Sequence, residues 1–257
     1  METIVSRTLS VHKEHEVLLK LEAAGLNDEL AQRVIGSKGN DLATKVVRLI
    51  SNGGYEATTS QKTAHQIMGR NMFGVEEAIQ YLGVKPTRAQ ISALAEVPFT
   101  EAELTEARDT HTLVAIFPLS ILDIRGKVAN NGQRLFYEQD WYNKETFAKY
   151  KGEVGWHLVR KTPVMDSTSK TWDDQQKLLG KDEETPKAQV VVYAIIGHFM
   201  ATGERLFEHT YVRTSSLDSD GSRVGVGDFD RFGLYFDYDH DDNRYDSLGL
   251  ASSRSSK

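Results

Sequence analysis

The sequence predicts an α+β protein in which a small all-helical module, residues 1–105, precedes a mixed domain of helices and strands, residues 106–257. In the first hundred residues, apolar side chains recur at helical spacing and are separated by residues that cap helices. After Asp109 the pattern changes to short, dense apolar runs typical of buried strands, separated by glycines and turn residues. This change places the boundary between the two parts near residue 105.

The N-terminal helices are predicted from their caps and their apolar stripes. Asn27 is expected to cap the second helix and Gly36 to end it, because Asn accepts a backbone hydrogen bond in the first turn and Gly ends helices. The predicted helices span residues 12–24, 28–35, 41–51, 75–82 and 88–96, and two more begin near Thr59 and after Thr100. In the third helix the apolar side chains are expected to face inward: Leu42, Val46, Val47, Leu49 and Ile50.

A turn at residues 83–86 joins two of these short helices and admits two interpretations. One is a DNA-binding helix-turn-helix, and the other is plain helix packing or oligomerisation. The segment is electrically neutral, whereas a DNA-binding helix pair carries basic residues, so packing or oligomerisation is favoured.

The second part is predicted to contain buried strands and one long apolar helix. Residues 112–117 and 154–159 are dense apolar runs that indicate strands in a core. Pro186 suits a first helical turn, so a helix is expected over residues 187–202, with Gly203 as its end. Shorter elements are predicted at residues 120–128 and 171–179, both helical, and at residues 205–214, a strand.

Composition excludes several kinds of site. The 257 residues are 39% apolar and 26% charged, as in globular proteins, and include no cysteine, which excludes disulfides, thiolate metal sites and cysteine nucleophiles. No apolar run approaches the roughly 20 residues of a membrane-spanning helix. The N-terminus lacks the pattern of a signal peptide, so a cytoplasmic location is expected, while export by another route stays open.

The charge and the motifs argue against nucleic acid and against catalysis. The formal net charge is −6, and residues 212–257 carry 6 Lys and Arg against 9 Asp and Glu, so no basic footprint for nucleic acid is present. There is no metalloprotease His pair, phosphate-binding loop or nucleophile elbow, and the eight histidines lack metal-ligand spacing. The sequence therefore predicts a protein that is not an enzyme.

The C-terminal segment has an unusual composition. Residues 212–256 contain no Lys, Glu, Gln, Met or Trp, whereas these five types occur in almost every stretch of ten residues elsewhere. Asp, Ser, Tyr, Phe, Arg, Gly, His and Asn take their place, most densely in residues 237–247. The five missing types are the amino acids that have no codon ending in a pyrimidine. Codons of the AAC or AAT type with randomised adenines yield the types that are present and never the five that are missing.

This tail and the segment before it resemble the variable proteins of diversity-generating retroelements. The resemblance rests on Thr202-Gly203-Glu204-Arg205-Leu206-Phe207, which leads into Tyr211-Val212-Arg213-Thr214. A variable-type run follows, residues 226–247, around Asp241-Asp242-Asn243-Arg244, and then a constant-type end, residues 248–254. Residues 117–164, with Gly155-Trp156-His157-Leu158, also resemble bacterial members, so the likeness spans roughly residues 110–257.

The resemblance implies a C-type-lectin fold of the formylglycine-generating-enzyme type, with a hypervariable region at about residues 212–247 on a stable scaffold. It implies a ligand-binding protein whose partner, a protein or other surface ligand, is contacted through residues 228–247. Members often have Trp before the two acidic residues, where this chain has His240. The implied contact residues are Asp228, Asp230, Arg231, Phe232, Tyr235, Phe236, Asp237, Tyr238, His240, Asn243, Tyr245, Asp246 and Ser247.

The same resemblance implies structural roles for residues between and beside the variable positions. These are Gly203, Arg205, Gly227, Leu248, Gly249 and Leu250. The variable positions are expected to be largely exposed and clustered on one face. Tyrosines at such positions offer large, rigid contact areas, and Asp, Ser and Asn offer adaptable hydrogen bonds.

Three alternatives stay open. In the first, the acidic tail is a disordered C-terminus, although six aromatic residues and Leu234 within residues 229–245 favour a folded surface. Calcium is a second, at residues 218–221 and 237–242, although the first segment lacks the ligand spacing of an EF-hand and no cofactor is otherwise predicted. The third is an adaptor or regulator whose helical N-terminus binds protein or DNA while the C-terminal domain senses a ligand. The oligomeric state does not follow from the sequence.

Overall fold

The structure is a computed structural model that describes residues 8–130, 132 and 134–255. It confirms the α+β class, with helices in both halves of the chain and two small four-stranded sheets formed by strands between residues 72 and 255. The chain divides between Tyr55 and Glu56 into two compact units. Among the described residues, no helix has the length and apolar character needed to cross a membrane.

The first unit contains three helices, α1 (Val11–Ala23), α2 (Asp28–Ile35) and α3 (Asp41–Ser51), close to their predicted positions. Asn27 caps α2 as expected, since its side-chain oxygen accepts a hydrogen bond from the Leu30 amide at 3.0 Å. The expectation that α3 turns its apolar side chains inward is wrong. No residue of these three helices, all of which the structure describes, is buried.

Four short helices begin the second unit: α4 (Thr59–Met68), α5 (Val75–Leu82), α6 (Arg88–Ala93) and α7 (Glu101–Ala107). Thr58, Thr87 and Thr100 each form a capping box, in which the threonine oxygen accepts from an amide three residues on and a Gln or Glu side chain accepts from the threonine amide. The sequence predicted the last two caps. Later helices are α8 (Ile121–Asn130), α9 (Thr146–Lys149), α10 (Trp172–Gln176) and α11 (Ala188–Thr202).

The first sheet has the order β1-β2-β3-β8 and joins distant parts of the chain. Strand β1 is parallel to β2, and the other neighbours are antiparallel. All six residues of β2 are buried, which accounts for the dense apolar run that predicted it. These strands are β1 (Met72–Phe73), β2 (His111–Ile116), β3 (Gly155–Arg160) and β8 (Ser253–Ser255).

The second sheet contains most of the segment predicted to be hypervariable and has the order β6-β5-β4-β7. Strands β4, β5 and β6 are consecutive and antiparallel, and β7 returns beside β4 in parallel. The loop of residues 240–247 makes this return, and we call it the return loop. The strands are β4 (Tyr211–Leu217), β5 (Arg223–Asp230), β6 (Gly233–Asp239) and β7 (Leu248–Leu250).

Helix α11 is the centre of the second unit. It contacts β2 of the first sheet, β4 and β5 of the second, and helix α5. Its first eleven residues are all buried, because a helix that is apolar all round must be covered on every side. Gly203 ends it with a φ of 76°, a left-handed conformation in which other residues are strained.

The compact units do not divide near residue 105, where the sequence pattern changes. Helices α4 to α7 belong with the sheets: α5 contacts α11, and β1 pairs with β2. The Trp156 indole nitrogen in β3 donates to the Leu94 carbonyl at 3.1 Å, and the buried Gln61 amide donates to the same carbonyl at 2.7 Å. The change from helical to strand periodicity near residue 105 marks a change in the type of secondary structure. The contacts above join residues on both sides of that position, so it does not separate two compact units.

Candidate ligand-binding surface

The centre of one face of the second sheet has no β5 side chains, because β5 has glycines there, and both glycines are buried. Gly225 and Gly227 lie opposite Arg213 and Tyr211 of β4, and also opposite Asp237 and Tyr235 of β6. Directly paired residues share a face in antiparallel strands. These four side chains therefore lie on either side of the β5 backbone at Gly225 and Gly227, which we call the floor of this face. A Cβ at Gly227 would collide with the Thr210 carbonyl oxygen, so the close approach of β4 requires glycine.

The rim of this floor is acidic and aromatic. The ring of Tyr235 stacks on Tyr137 with centroids 4.1 Å apart. Burial raises the pKa of Tyr211, and the charges of Asp228 and Asp237 raise it further. Burial also raises the pKa of the Asp237 carboxyl. The carboxylates of Asp228 and Asp237 place negative charge beside the Tyr211 ring, so an added anion is disfavoured and a cationic group is favoured.

The return loop is attached to this face by one buried arginine. Arg213 is fully buried, and its Nη2 donates to the carbonyls of His240 and Asn243 at 3.0 and 2.9 Å. Its Nη1 donates to the Lys170 carbonyl at 3.1 Å and to Oε1 of Gln175 at 3.2 Å. The guanidinium therefore joins the loop to the segment around α10.

Three backbone amides complete the attachment. Trp172 donates to the Asp241 carbonyl, Ser169 to that of Tyr245 and Tyr211 to that of Ser247, each at 2.8 Å. The loop is held by its carbonyl oxygens, which every residue type possesses. Its course therefore depends little on which side chains it carries.

A few side chains near the loop also contact each other. The Asn243 amide donates to Asp239 at 3.1 Å, and Nε of Arg223 donates to Asp241 at 3.0 Å. The Arg223 guanidinium lies 3.9 Å from the centre of the Trp172 ring. Asp239 shares its face with Asp237 but is buried, at 8% exposed, where β6 meets the return loop.

Most predicted contact residues lie at the surface. Eight are exposed: Arg231, Phe232, Asp237, Tyr238, His240, Tyr245, Asp246 and Ser247. Four are partly buried: Asp228, Asp230, Tyr235 and Asn243. They extend along β6, with Arg231 and Phe232 at its start and the return loop at its end, roughly 20 Å apart for a seven-residue strand. They therefore form a strip and not a compact patch.

Phe236 is a correction to the predicted set. Its side chain is 2% exposed, and its ring centroid lies 4.4 Å from that of Tyr142. Side chains alternate along a strand, so Phe236 points into the core while Tyr235 and Asp237 point outward. Tyr238 shares the parity of Phe236 and packs edge-on against Trp141 at 5.2 Å, so it lies on the opposite face from Tyr235 although it is exposed.

The six residues expected to be structural have roles that fit. Leu248, Gly249 and Leu250 are buried in β7. Arg205 donates from Nε to the Asp230 carbonyl at 3.1 Å and lies over the rings of Phe199 and Phe229. Gly203 and Gly227 are required by the helix end and the close strand approach described above.

Sequence reasoning missed four residues at this surface. Tyr137 and Trp141 come from the segment between α8 and α9, about a hundred positions before β6, and no local pattern points to them. Tyr211 and Arg213 lie in the segment before the variable-type run and are not among the predicted contact residues. The alternation Tyr-Val-Arg-Thr opposite a Val-Gly-Val-Gly strand is the signal that identifies them as one face.

The carboxylates of the two candidate calcium segments lie in the β4–β5 turn and at the end of β6 with the return loop. Across residues 8–130, 132 and 134–255, no three His, Asp or Glu side chains are grouped so as to hold an ion. In the first predicted calcium segment, Oδ1 of Asp218 accepts from the amides of Asp220 and Ser222 at 3.0 and 2.8 Å, which closes the β4–β5 turn.

A cleft of about 310 Å³ lies beside β6 and is lined by Arg125, Val128, Ala129 and residues 134–140.

No protein-family model, curated protein or solved structure matches this chain.

Proposed function

We propose that this chain is a diversified ligand-binding protein, of the kind encoded with diversity-generating retroelements, and not an enzyme. The observation that carries the proposal is the attachment of the return loop through its carbonyl oxygens to Arg213, Trp172, Ser169 and Tyr211. Such an attachment lets side chains vary while the backbone keeps its course. A surface that must accept many sequences needs this property.

The composition supports the same proposal independently. The five amino-acid types without a pyrimidine-ending codon are missing from residues 212–256, which include the whole return loop. Selection for a single ligand gives no reason for that particular set. The types that are present, above all Tyr, Asp, Ser and Asn, are those that make adaptable binding surfaces.

A C-type-lectin-like arrangement of residues 106–257 is part of the proposal. Its support is the pair of small sheets and the C-terminal strand β8, which returns to pair with β3 near the middle of the chain. In this arrangement the scaffold lies on one side of the second sheet, and the β6 outer face and return loop lie on the other.

For this particular variant we propose a protein partner that presents Lys or Arg side chains. The carboxylates of Asp228, Asp230 and Asp237 surround the tyrosine rings of Tyr211 and Tyr235. Carboxylates attract a cation, and tyrosine faces add cation–π contacts. Binding of such a partner is expected to weaken as salt concentration rises.

Two experiments test the proposal. The first is to sequence the DNA beside the gene for a reverse transcriptase and a near-identical repeat of the tail that differs at adenines. The second is a display library diversified at the exposed contact residues and selected against several unrelated purified proteins. The matched control library diversifies the exposed residues of α7 and its C-terminal end, including Glu101, Glu106, Arg108 and Asp109.

We expect specific binders from the first library and none from the control. Absence of the repeat would remove the retroelement origin while leaving a binding role intact. A first library that unfolds, or that yields no binders beyond the control, would contradict the binding function itself.

One observation favours a second candidate, the adaptor or regulator. Helices α1 to α3 expose many large apolar side chains, and such a concentration is unusual on the surface of a protein that has no partner. In that case the N-terminal unit would have a partner and the C-terminal surface would sense a ligand. The two candidates differ in whether occupancy of the C-terminal surface changes the association of residues 8–55.

A further inference from the structure

We propose that helices α1 to α3 associate with the same helices of a second copy of this chain. The proposal concerns the apolar surface of the first unit. It stands independently of what the C-terminal surface binds.

The first unit exposes an unusual amount of apolar side chain. Thirteen large apolar residues within residues 9–50 are at least 37% exposed, and Ile35, Val47 and Ile50 exceed 60%. Monomeric proteins seldom leave such a concentration of apolar surface in water, since burying it is the main favourable term in association. The thirteen are Leu9, Val11, Val17, Leu18, Leu19, Leu21, Leu30, Ile35, Leu42, Val46, Val47, Leu49 and Ile50.

Twelve of the thirteen residues lie within α1, α2 or α3, and Leu9 lies just before α1. In α3, Leu42, Val46, Leu49 and Ile50 recur at helical spacing and share one face. The polar side of the same helix carries an ion pair between Lys45 and Asp41, with Nζ and Oδ2 2.7 Å apart. The helices therefore present apolar faces that are already formed.

The charge distribution favours an identical partner. Residues 1–55 contain 7 Lys and Arg and 7 Asp and Glu, so this unit is neutral. Residues 56–257 contain 24 Lys and Arg and 30 Asp and Glu, so they carry the entire net charge of −6. Two copies can approach through their neutral units without the repulsion that their acidic units exert on each other, and nucleic acid finds no basic face there.

The remainder of the chain offers no comparable apolar surface. Among the described residues of 56–257, seven large apolar side chains are exposed, and three of them, Phe232, Tyr238 and Tyr245, belong to the candidate ligand-binding surface. The matching surface for α1 to α3 is therefore the same unit of another copy. A two-fold arrangement satisfies both copies at once, because each apolar face meets its own equivalent.

Association would also serve the proposed function, and this one consequence rests on it. Two or more copies joined by their N-terminal units would present several ligand-binding surfaces together. Simultaneous engagement can raise apparent affinity by about 10²–10⁴-fold without any new contact. The association itself is measured without ligand, so its failure and that of the proposed function are distinguishable.

The test is the mass of the full-length chain in solution over a wide concentration range, by analytical ultracentrifugation. We expect at least twice the monomer mass of 28.8 kDa. The double variant Val46→Glu, Ile50→Glu places charge on the apolar face of α3 and is expected to be monomeric. The matched control, Thr44→Glu, Ser51→Glu, places the same two charges on the opposite side of α3 and should keep the wild-type mass.

Far-UV circular dichroism separates dissociation from misfolding. The substituted side chains are exposed in the single chain, so the variant monomer should retain its helical signal. A wild-type chain that is monomeric at every concentration would overturn the proposal. So would a double variant that associates as the wild type does, since association would then use another surface.

A labelling experiment provides an independent readout, because the chain has no cysteine. Single variants Leu49→Cys and Thr44→Cys of the full chain each carry one thiol on opposite sides of α3. In the associated protein we expect maleimide to label Leu49→Cys at least tenfold more slowly than Thr44→Cys, with the difference lost on dilution. Equal rates in concentrated protein would contradict burial of the apolar face between copies.

Discussion

Arg213 is the residue whose side chain makes the most hydrogen bonds to the return loop and the segment beside it. Its planar guanidinium offers five donors, and the two Nη groups donate to three backbone carbonyls and one amide oxygen, while the buried Nε has no partner. Burial lowers the pKa of this guanidinium, and the carboxylates of Asp239 and Asp241 oppose that effect. Lysine has a single point of charge and cannot reach both sides of the loop.

The first prediction concerns this residue. Arg213→Met should lower the free energy of unfolding by about 3 kcal/mol, because it leaves several buried oxygens without donors. Urea denaturation of the full chain measures the change. Arg231→Met is the matched control, and because Arg231 is exposed it should change stability by about 0.5 kcal/mol or less. Equal effects of the two substitutions would mean that Arg213 does not hold the loop.

Neighbouring residues of β6 show what composition can and cannot identify. The codon pattern marks residues 212–256 as one class. It does not distinguish Phe236 from Tyr235, two neighbouring aromatic residues whose side chains lie on opposite faces of the strand. That distinction follows from the register of β6 against β5, a long-range property. Burial of Phe236 therefore needed the structure.

At the scale of elements, local signals predicted local structure well. Thr87 and Thr100 begin their helices as predicted because a capping box involves residues three apart. Strands β1 and β8, two and three residues long, were not predicted. Their partners are about 41 positions and more than 90 positions away in sequence, so no short pattern specifies them.

The return loop gives the second prediction. Replacing His240, Asp242, Tyr245 and Asp246 together by Ser, Tyr, Asn and Ser, respectively, should change the free energy of unfolding by about 1 kcal/mol or less. The reason is that these side chains are exposed and the scaffold holds the backbone. Thermal and urea unfolding provide the measurement.

Leu248→Ala is the control for that substitution set, since Leu248 follows the loop directly and is 3% exposed. It should cost about 3 kcal/mol, as buried Leu truncations do. A loop variant that loses as much stability as this control would show that the return loop depends on its own side chains, and the tolerance argument would fail.

Across the whole molecule, buried histidines make stability depend on pH. Burial lowers the pKa of His111 to about 4, with Arg160 and Arg254 acting in the same direction. Burial also lowers the pKa of His157 and of His198. In an unfolded chain a histidine has a pKa of about 6.5. Between these values the unfolded chain binds protons that the folded chain does not.

The third prediction follows from that difference. Above about pH 6.5 both states have neutral His111 and it contributes nothing to the pH dependence. As pH falls from about 6.5 to about 4, the unfolded state gains protons and the free energy of unfolding drops, by about 3 kcal/mol from His111 alone. His111→Gln should make this slope shallower, whereas His209→Gln, at an exposed position, should leave it unchanged. Parallel slopes for all three proteins would contradict the assignment to His111.

The last prediction follows from the two compact units. It concerns the position at which the chain can be truncated and still fold. Residues 56–104 supply buried apolar side chains that include Met68, Phe73, Leu82 and Leu94. Each is worth about 1.5–3 kcal/mol when fully buried, so their sum approaches the 5–15 kcal/mol that a whole domain has. Their removal would also uncover the edge of β2, whose Leu113 and Val114 pair with β1.

We therefore expect residues 56–257 to unfold in one cooperative transition with fixed near-UV aromatic signals. Residues 105–257 should instead aggregate, since an exposed apolar strand edge pairs readily with other chains. The indole of Trp156 would lose its bond to the Leu94 carbonyl, so its near-UV signal reports the missing segment directly. A cooperative transition for residues 105–257 would restore the boundary that the sequence pattern suggests. It would mean that helices α4 to α7 pack on a core that is complete without them.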